Sequence, residues 1–289
     1  MQPDEVKFKQ AKPTGTIDQI FEIDCVAKAD ERQANIDYAA KLNIPRVVQR
    51  KRRPGKVAIV ASGPSVTDYV DLLKDWDGEI WCINRALEWA RHRGIKPTAF
   101  IGVDPEWFLV ECIPNPTNDI TYYIASQVHR GVWDHLAGKN VRLWFMADGQ
   151  VRQPFGAVPI HGGSTALSRA PNLAWLLGWR EVHIFGGDSS FTHKSHVHGG
   201  EIPPNWVPTQ VGDRIFKTTR TMLSQACEYV EQMAEWSRGD DPLSVTLYGD
   251  GLMQALYQQA TDAGNYEQYL YEMATKDRGM NRKQRRAMA

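Results

Sequence analysis

Long apolar runs are missing. No stretch of the 289-residue chain approaches the length of about 20 apolar residues that a membrane-crossing helix needs. No membrane span is therefore expected. The opening residues Met1, Gln2, Pro3, Asp4, Glu5 and Val6 lack the apolar core of a signal peptide, so a cytoplasmic setting is the expectation. Cysteine is scarce: Cys25, Cys82, Cys112 and Cys227 are scattered without paired spacing, which fits neither a disulfide framework nor a zinc template. Neither sign of charge is in excess, with 34 Lys and Arg against 34 Asp and Glu. That balance predicts no bulk affinity for nucleic acid or anionic lipid. Internal repeats and low-complexity tracts are absent. So are the dinucleotide fingerprint G-x-G-x-x-G and the Walker loop G-x-x-x-x-G-K-[ST].

What is present is a hydrophobic content of 42%, enough for a core, and ten tryptophans. One stretch organises the rest. Val57, Ala58, Ile59, Val60 and Ala61 form a small, β-branched run that stops at Ser62, Gly63, Pro64 and Ser65. An apolar run halted by Gly and Pro reads as a buried strand entering a tight turn. Apolar residues at Val66, Tyr69, Val70 and Leu73 then suit one face of a helix over residues 65–76. Strand, glycine turn and helix start together offer bare N–H groups and a helix dipole to an anion such as phosphate. The plainer alternative is an ordinary turn with Ser65 as the helix cap.

Further strands are predicted at 79–84, 99–103, 120–125, 141–146, 182–186 and 245–248, and helices at 85–93, 131–136, 164–177 and 218–236. Strands alternating with helices predict an α/β, Rossmann-like, doubly wound and mostly parallel sheet. Residues 1–50 are expected to form a helical N-terminal extension and basic linker, 51–265 the nucleotide-binding domain and 266–289 a basic tail. In the extension, the polar stretch from Lys28 to Gln33 is expected to separate two apolar groups. The linker residues Arg50, Lys51, Arg52, Arg53 and Lys56 read as a solvated loop, or as cations near the glycine turn. The tail reads as solvated; contact with nucleic acid or a protein partner is its alternative.

Ligands of open α/β sheets bind outside the carboxyl ends of the strands. The residues that follow the predicted strands are accordingly the candidates. They are Ser62 to Ser65, then Asn84 and Arg85, then Asp104, and finally Gly162, Gly163, Ser164 and Thr165 with Asp188. The second glycine pair makes another candidate phosphate cradle, or a plain helix cap. Asp104 and Asp188 could hold Mg²⁺, bind a ribose hydroxyl or act as a general base, or serve as turn residues. His193, His196 and His198 are flanked by glycines and prolines and suggest a loop that closes over a substrate. A histidine contacting substrate or phosphate is the favoured reading there, and metal ligation the alternative.

Taken in order, these motifs resemble a known family. Gly63-Pro64-Ser65 is followed by Asn84-Arg85-Ala86, Gly94-Ile95-Lys96-Pro97 and Val103-Asp104-Pro105. Then come Gly162-Gly163-Ser164-Thr165-Ala166-Leu167 and Phe185-Gly186-Gly187-Asp188, with His196 and His198 downstream. The series resembles the MptE-like 6-hydroxymethylpterin diphosphokinase family. Its fold group is similar to bacterial motility accessory factors and, more distantly, to a sialyltransferase family. Compact relatives also occur in phage genomes, and a phage-encoded member is one expectation. The resemblance implies a transferase that moves a diphosphate from ATP, with Mg²⁺, onto a small hydroxylated acceptor. The alternatives are glycosyl transfer from a nucleotide sugar and a non-catalytic nucleotide-binding protein. It carries Gly63, Pro64 and Ser65 over as nucleotide-phosphate contacts, Asp104 as a metal or substrate carboxylate, Gly163, Ser164 and Thr165 as the second loop, and Asp188 and His198 as the late acidic and histidine positions. With the strand-end reading, the expected nucleotide contacts are Ser62, Gly63, Pro64, Ser65, Asn84, Arg85, Gly162, Gly163, Ser164 and Thr165, the expected catalytic residues Asp104, Asp188 and His198, and the expected metal ligands Asp104 and Asp188.

Overall fold

The computed structural model describes residues 27–192, 196–238 and 240–264. Residues 1–26 of the expected extension, His193 and the basic tail lie outside the described residues. The chain enters through α1 (Ala29–Ala39), which is mostly polar and buries only Arg32, Ile36 and Ala39. The helix begins inside the polar stretch Lys28 to Gln33, with Lys28 extended before it, and the first of the two expected apolar groups lies outside the described residues. Arg32 makes this polar start a packing face: its guanidinium donates to Asp148 and, at 2.6 Å, to Gln150.

The basic linker does not bring cations to the glycine turn. Arg53 lies over the Trp179 ring (3.8 Å) and pairs with Glu79 (3.0 Å), while Lys56 sits over Trp76 (4.3 Å). These contacts fix it at the start of β1 (Val57–Val60), and the turn leaves from the other end of that strand. Four residues of strand put about 13 Å between them.

After β1 the helix expected over 65–76 is split. A 3-10 turn, Pro64–Tyr69, precedes the short α2 (Val70–Lys74). Tyr69, whose hydroxyl accepts from the Gly249 N–H (3.1 Å), leaves helical geometry at φ −116° and ψ 16°. The alternation then continues as β2 (Glu79–Ile83), α3 (Ala86–His92), β3 (Ala99–Gly102), α4 (Phe108–Glu111), β4 (Thr121–Ala125), α5 (Arg130–His135), β5 (Val141–Met146) and β6 (Pro159–Ile160). Next come α6 (Ala166–Leu176) and β7 (Glu181–Phe185), then an antiparallel hairpin, β8 (Val207–Val211) with β9 (Arg214–Thr218). The long α7 (Arg220–Trp236), β10 (Ser244–Leu247) and α8 (Leu252–Ala263) complete the described chain.

Eight strands form one sheet in the order β10-β7-β1-β2-β3-β4-β5-β6, and every pair in it is parallel. The central strands are buried along their whole length, as in β1 and β3. Both faces of such a sheet are covered, and this is why those strands are continuous apolar runs rather than alternating ones. The topology decides where a ligand can sit. From β1 the chain moves outward strand by strand to β6, then returns to the other side of β1 with β7 and β10. The carboxyl ends of β1, β2 and β7 therefore diverge into a crevice, the switch point of an open α/β sheet. No helix among the described residues is long and apolar enough to cross a membrane.

Candidate functional site

A cavity of about 410 Å³ occupies that crevice, within the ordinary range for a small-molecule site. Its floor comes from strand ends, Ser62 and Gly63 after β1, Asn84 after β2, and residues 186–190 after β7, and the half-exposed Arg85 stands at its edge. One wall is the face of α7 that carries Met222, Gln225 and Tyr229, residues three and four apart and so stacked on one side of the helix. The loop with His196 and His198 lies at the rim. That loop is pinned to the floor, because the Val197 N–H donates to the Ser62 carbonyl (3.0 Å).

The two candidate phosphate cradles are both built, and both are already filled by the chain itself. In the first, the buried Asp188 accepts from the Ser65 N–H at Oδ2 (2.8 Å) and from the Ser65 hydroxyl at Oδ1 (2.5 Å). The Gly63 N–H is spent on the Gly186 carbonyl (2.8 Å). Glycine is required at position 63, since a Cβ there would meet Gly186 O at 2.4 Å and Asp188 Oδ2 at 2.6 Å. In the second, Glu228 of α7 reaches across. Its Oε2 accepts from the Ser164 N–H (3.0 Å) and hydroxyl (2.9 Å), and a Cβ on Gly163 would stand 2.5 Å from that oxygen. Thr165 caps α6 in a reciprocal pair with Ser168: the Thr165 Oγ1 accepts the Ser168 N–H (3.1 Å) and the Ser168 hydroxyl oxygen accepts the Thr165 N–H (3.0 Å).

The cavity thus gathers Ser62, Gly63, Asn84, Arg85, Thr165, Asp188 and His198 from the expected set. Pro64, Ser65, Gly162, Gly163, Ser164 and Asp104 are not part of its lining. Asp104 closes a local turn by accepting the Glu106 N–H at 3.0 Å, and burial raises its pKa. Asp188 is also raised, chiefly by burial; its bonds to Ser65 pull the other way.

Mg²⁺ held by Asp104 and Asp188 does not fit these residues. One carboxylate is outside the cavity and the other has both oxygens on Ser65. Among the described residues, no group of three His, Cys, Asp or Glu side chains is arranged to hold a metal.

The chemistry available at the rim is different. Arg85 lies there, paired at 3.0 Å with the half-exposed Glu111. His196 and His198 stack with ring centroids 5.0 Å apart and planes 17° apart. Burial holds both imidazoles below their ordinary pKa, and for His198 the neighbouring His196 and the Arg85 cation push further in the same direction. A permanent cation thus stands near two imidazoles biased toward the neutral form. Backbone strain marks the floor: Asn84 and Ser189 both have φ +50°, and such non-glycine residues cluster at functional sites. The Asn84 Oδ1 atom is buried and has no hydrogen-bond partner among the described residues.

Glu228, Gln225 and Tyr229 were absent from the sequence-derived candidates. They come from the middle of a helix, not from a strand end, so the rule that located the floor passes over them. The one available signal was a carboxylate, Glu228, in the amphipathic core-facing stripe of a long helix.

Comparison with known proteins follows the same lines. A family model described as 6-hydroxymethylpterin diphosphokinase MptE-like matches residues 32–194. No curated protein matches the sequence significantly. Among solved structures, a MAf glycosyltransferase from Magnetospirillum magneticum AMB-1 is similar with a TM-score of 0.59 at 13% identity. The alignment covers 88% of this chain and 45% of that one, so the chain spans less than half of that protein's length. At this identity the likeness is one of fold.

Proposed function

The chain belongs to the MptE-like family, and from that premise we propose that it is a transferase which takes a nucleotide-activated donor into the switch-point cleft. The observation that carries this reading is the rim: Arg85 near the stacked His196 and His198, over a floor of strand-end residues. Arg85 would neutralise the phosphate charge of the bound donor and of the departing nucleotide. A neutral imidazole, His198 in the first instance, would take the proton from an acceptor hydroxyl. The acceptor oxygen bonds to the transferred group, the bond from that group to the nucleotide phosphate breaks, and the electron pair leaves on the phosphate oxygen. Ser62, Gly63 and Asn84 would bring backbone and a side-chain amide against the ligand.

Within this reading, glycosyl transfer from a nucleotide sugar is the version the residues favour. It asks for a cation at the leaving phosphate and one base, both present, and for no pair of free carboxylates. Diphosphoryl transfer from ATP is the second reading, and what favours it is the family's description. No step in either is routed through Mg²⁺.

The test is a thermal-shift screen with ATP, CMP, UDP and the corresponding nucleotide sugars, each with Mg²⁺ and with a chelator. A ligand at about 100 times its dissociation constant stabilises by about 2.7 kcal/mol, which such a screen resolves. A shift with a nucleotide or nucleotide sugar that survives the chelator is expected. A Mg²⁺-dependent shift confined to ATP, with AMP released when a hydroxymethylpterin is added, transfers the assignment to diphosphoryl transfer. No shift with any ligand removes the transferase reading.

A further inference from the structure

The proposed transfer needs a place for the acceptor, and the rim of the first cavity serves the charge of the donor. A second cavity, of about 540 Å³, lies beside it. Phe108 of α4 lines both. Three residues further along that helix Glu111 holds Arg85 (3.0 Å), so the wall between the cavities is tied to the cation at the rim. From α1 the second cavity takes Glu31 and Asn35, four apart and so on one face. Its lining contains no Lys or Arg; its carboxylates are Glu31 and Glu106, and His129 is the other titratable side chain. Such a site opposes a phosphate. It suits a neutral ligand rich in hydrogen-bond donors, because an ionised carboxylate only accepts.

Trp107 lines this cavity, and of the ten tryptophans, all of them among the described residues, it alone is exposed, at 53%. The exposed ring is held in place. The turn before it is closed by Asp104, which accepts the Glu106 N–H (3.0 Å). The indole rests on Gly131, where a Cβ would stand 2.1 Å from a ring carbon. His129 meets it edge-on with centroids 5.3 Å apart, and is itself held by accepting the Gly131 N–H at Nδ1 (3.1 Å). The face of an indole is electron-rich. The C–H groups on one face of a sugar ring carry the opposite partial charge, so the two stack and leave the sugar hydroxyls free for the carboxylates.

We propose that the second cavity is the acceptor subsite and that it takes a neutral sugar ring, stacked on Trp107 with hydroxyls donating to Glu31 and Glu106. This rests on reading the first cavity as the donor site of a transferase. A sugar hydroxyl at the Phe108 edge supplies the oxygen that bonds to the transferred group. Its proton goes to His198, and the bond from that group to the nucleotide phosphate breaks with its electron pair on the phosphate oxygen.

The experiment follows the indole N–H signals of the full chain by NMR. The signal of Trp107 is the one missing from the Trp107→Ala variant. Methyl β-glucoside, methyl β-galactoside and methyl N-acetyl-β-glucosaminide are titrated to about 50 mM, enough to saturate a millimolar site, each alone and with CMP or UDP present. Glucuronic acid and 6-hydroxymethylpterin are the comparators. At least one neutral glycoside is expected to move the Trp107 signal saturably, and glucuronic acid is expected to leave it in place. In Trp107→Ala, affinity for that glycoside should fall about tenfold, the scale of one lost aromatic contact. Nucleotide affinity, read by calorimetry, should stay within twofold, which also shows the variant folded.

No glycoside moving the Trp107 signal would overturn the proposal. So would a shift produced by the pterin and by none of the glycosides, or glycoside affinity unchanged within twofold in Trp107→Ala. A parent chain that binds no nucleotide would remove the transferase reading, and the acceptor role with it. The two failures are told apart because one is read with glycosides at Trp107 and the other with nucleotides on the unmutated chain.

Discussion

Replacing Asp188 separates its structural use from any chemical one. Its carboxylate is buried, it is 3% exposed as a residue, and both oxygens accept from Ser65, at 2.8 Å from the N–H and 2.5 Å from the hydroxyl. Asp188→Ala removes two hydrogen bonds to a charged acceptor, each worth about 1.5–3 kcal/mol, and the relief of a buried charge offsets part of the loss. The net expectation is a destabilisation of about 3 kcal/mol. At roughly 2 °C per kcal/mol for a chain of this length, that is a fall of about 6 °C in melting temperature. Asp188→Asn is the informative partner. Its amide oxygen can accept the Ser65 N–H while its Nδ2 donates to the Ser65 hydroxyl, so both contacts persist without the charge. Burial raises the Asp188 pKa, so the neutral amide is spared a desolvation cost and its stability should lie within about 1 kcal/mol of the parent. Thermal denaturation and nucleotide titration of both variants form the assay, with nucleotide affinity of Asp188→Asn expected within about threefold of the parent. A well-folded Asp188→Asn that loses transfer activity more than about 100-fold would refute the argument. It would show the carboxylate acting as the metal ligand or base that its strand-end position suggests.

Two further outcomes are expected. Arg85→Ala should weaken nucleotide binding tenfold or more while moving the melting temperature by less than about 2 °C. The Arg85–Glu111 pair is 38% and 56% exposed, and such pairs are worth under about 1 kcal/mol; a large thermal loss would contradict this placement. His196 and His198 have folded pKa values below the ordinary 6.5, so below that pH the unfolded chain binds more protons than the folded one, and their contribution to stability falls as pH drops toward the folded values. The double variant His196→Gln, His198→Gln should therefore lose less stability than the parent between pH 7.5 and 5.5. Identical slopes in thermal melts across that range would count against buried neutral imidazoles.

Strand reading succeeded where burial on both faces left no ambiguity. β5 was expected at 141–146 and runs Val141–Met146, and the other six expected strands agree to within a residue at each end. The hairpin of β8 and β9 was passed over although its signals were present. Gly212 and Asp213 form a two-residue link, with Gly212 at φ +58°, and the buried positions alternate along both strands, Thr209 and Val211 on one and Phe216 and Thr218 on the other, with Thr209 opposite Phe216. α8 was passed over too, despite Gly264 at φ +67° closing its end. The floor of the site was legible because strand ends are local. Its walls were not: Ser164 and Glu228 meet across 64 positions of sequence, and no short window contains both.

The same pairing explains why a glycine–serine turn is an ambiguous sign. Such a turn concentrates bare N–H groups, and these will take an anion from any source. In this chain the anions are internal. Asp188 occupies the turn after β1, Glu228 occupies the turn before α6, and the Gly63 N–H is bonded to Gly186. The two turns therefore act as struts: one ties β1 to the exit of β7, the other ties α6 to α7, and together they hold the cleft at its width. Backbone donors spent in this way are not available to a ligand phosphate. On the proposed reading, charge recognition passes to side chains at the rim, to Arg85 and the imidazoles near it, which a single substitution or a change of pH can alter. A nest of backbone amides would respond to neither. A ligand affinity that follows Arg85 and pH, rather than the integrity of the glycine turns, is the consequence of filling the cradles from within.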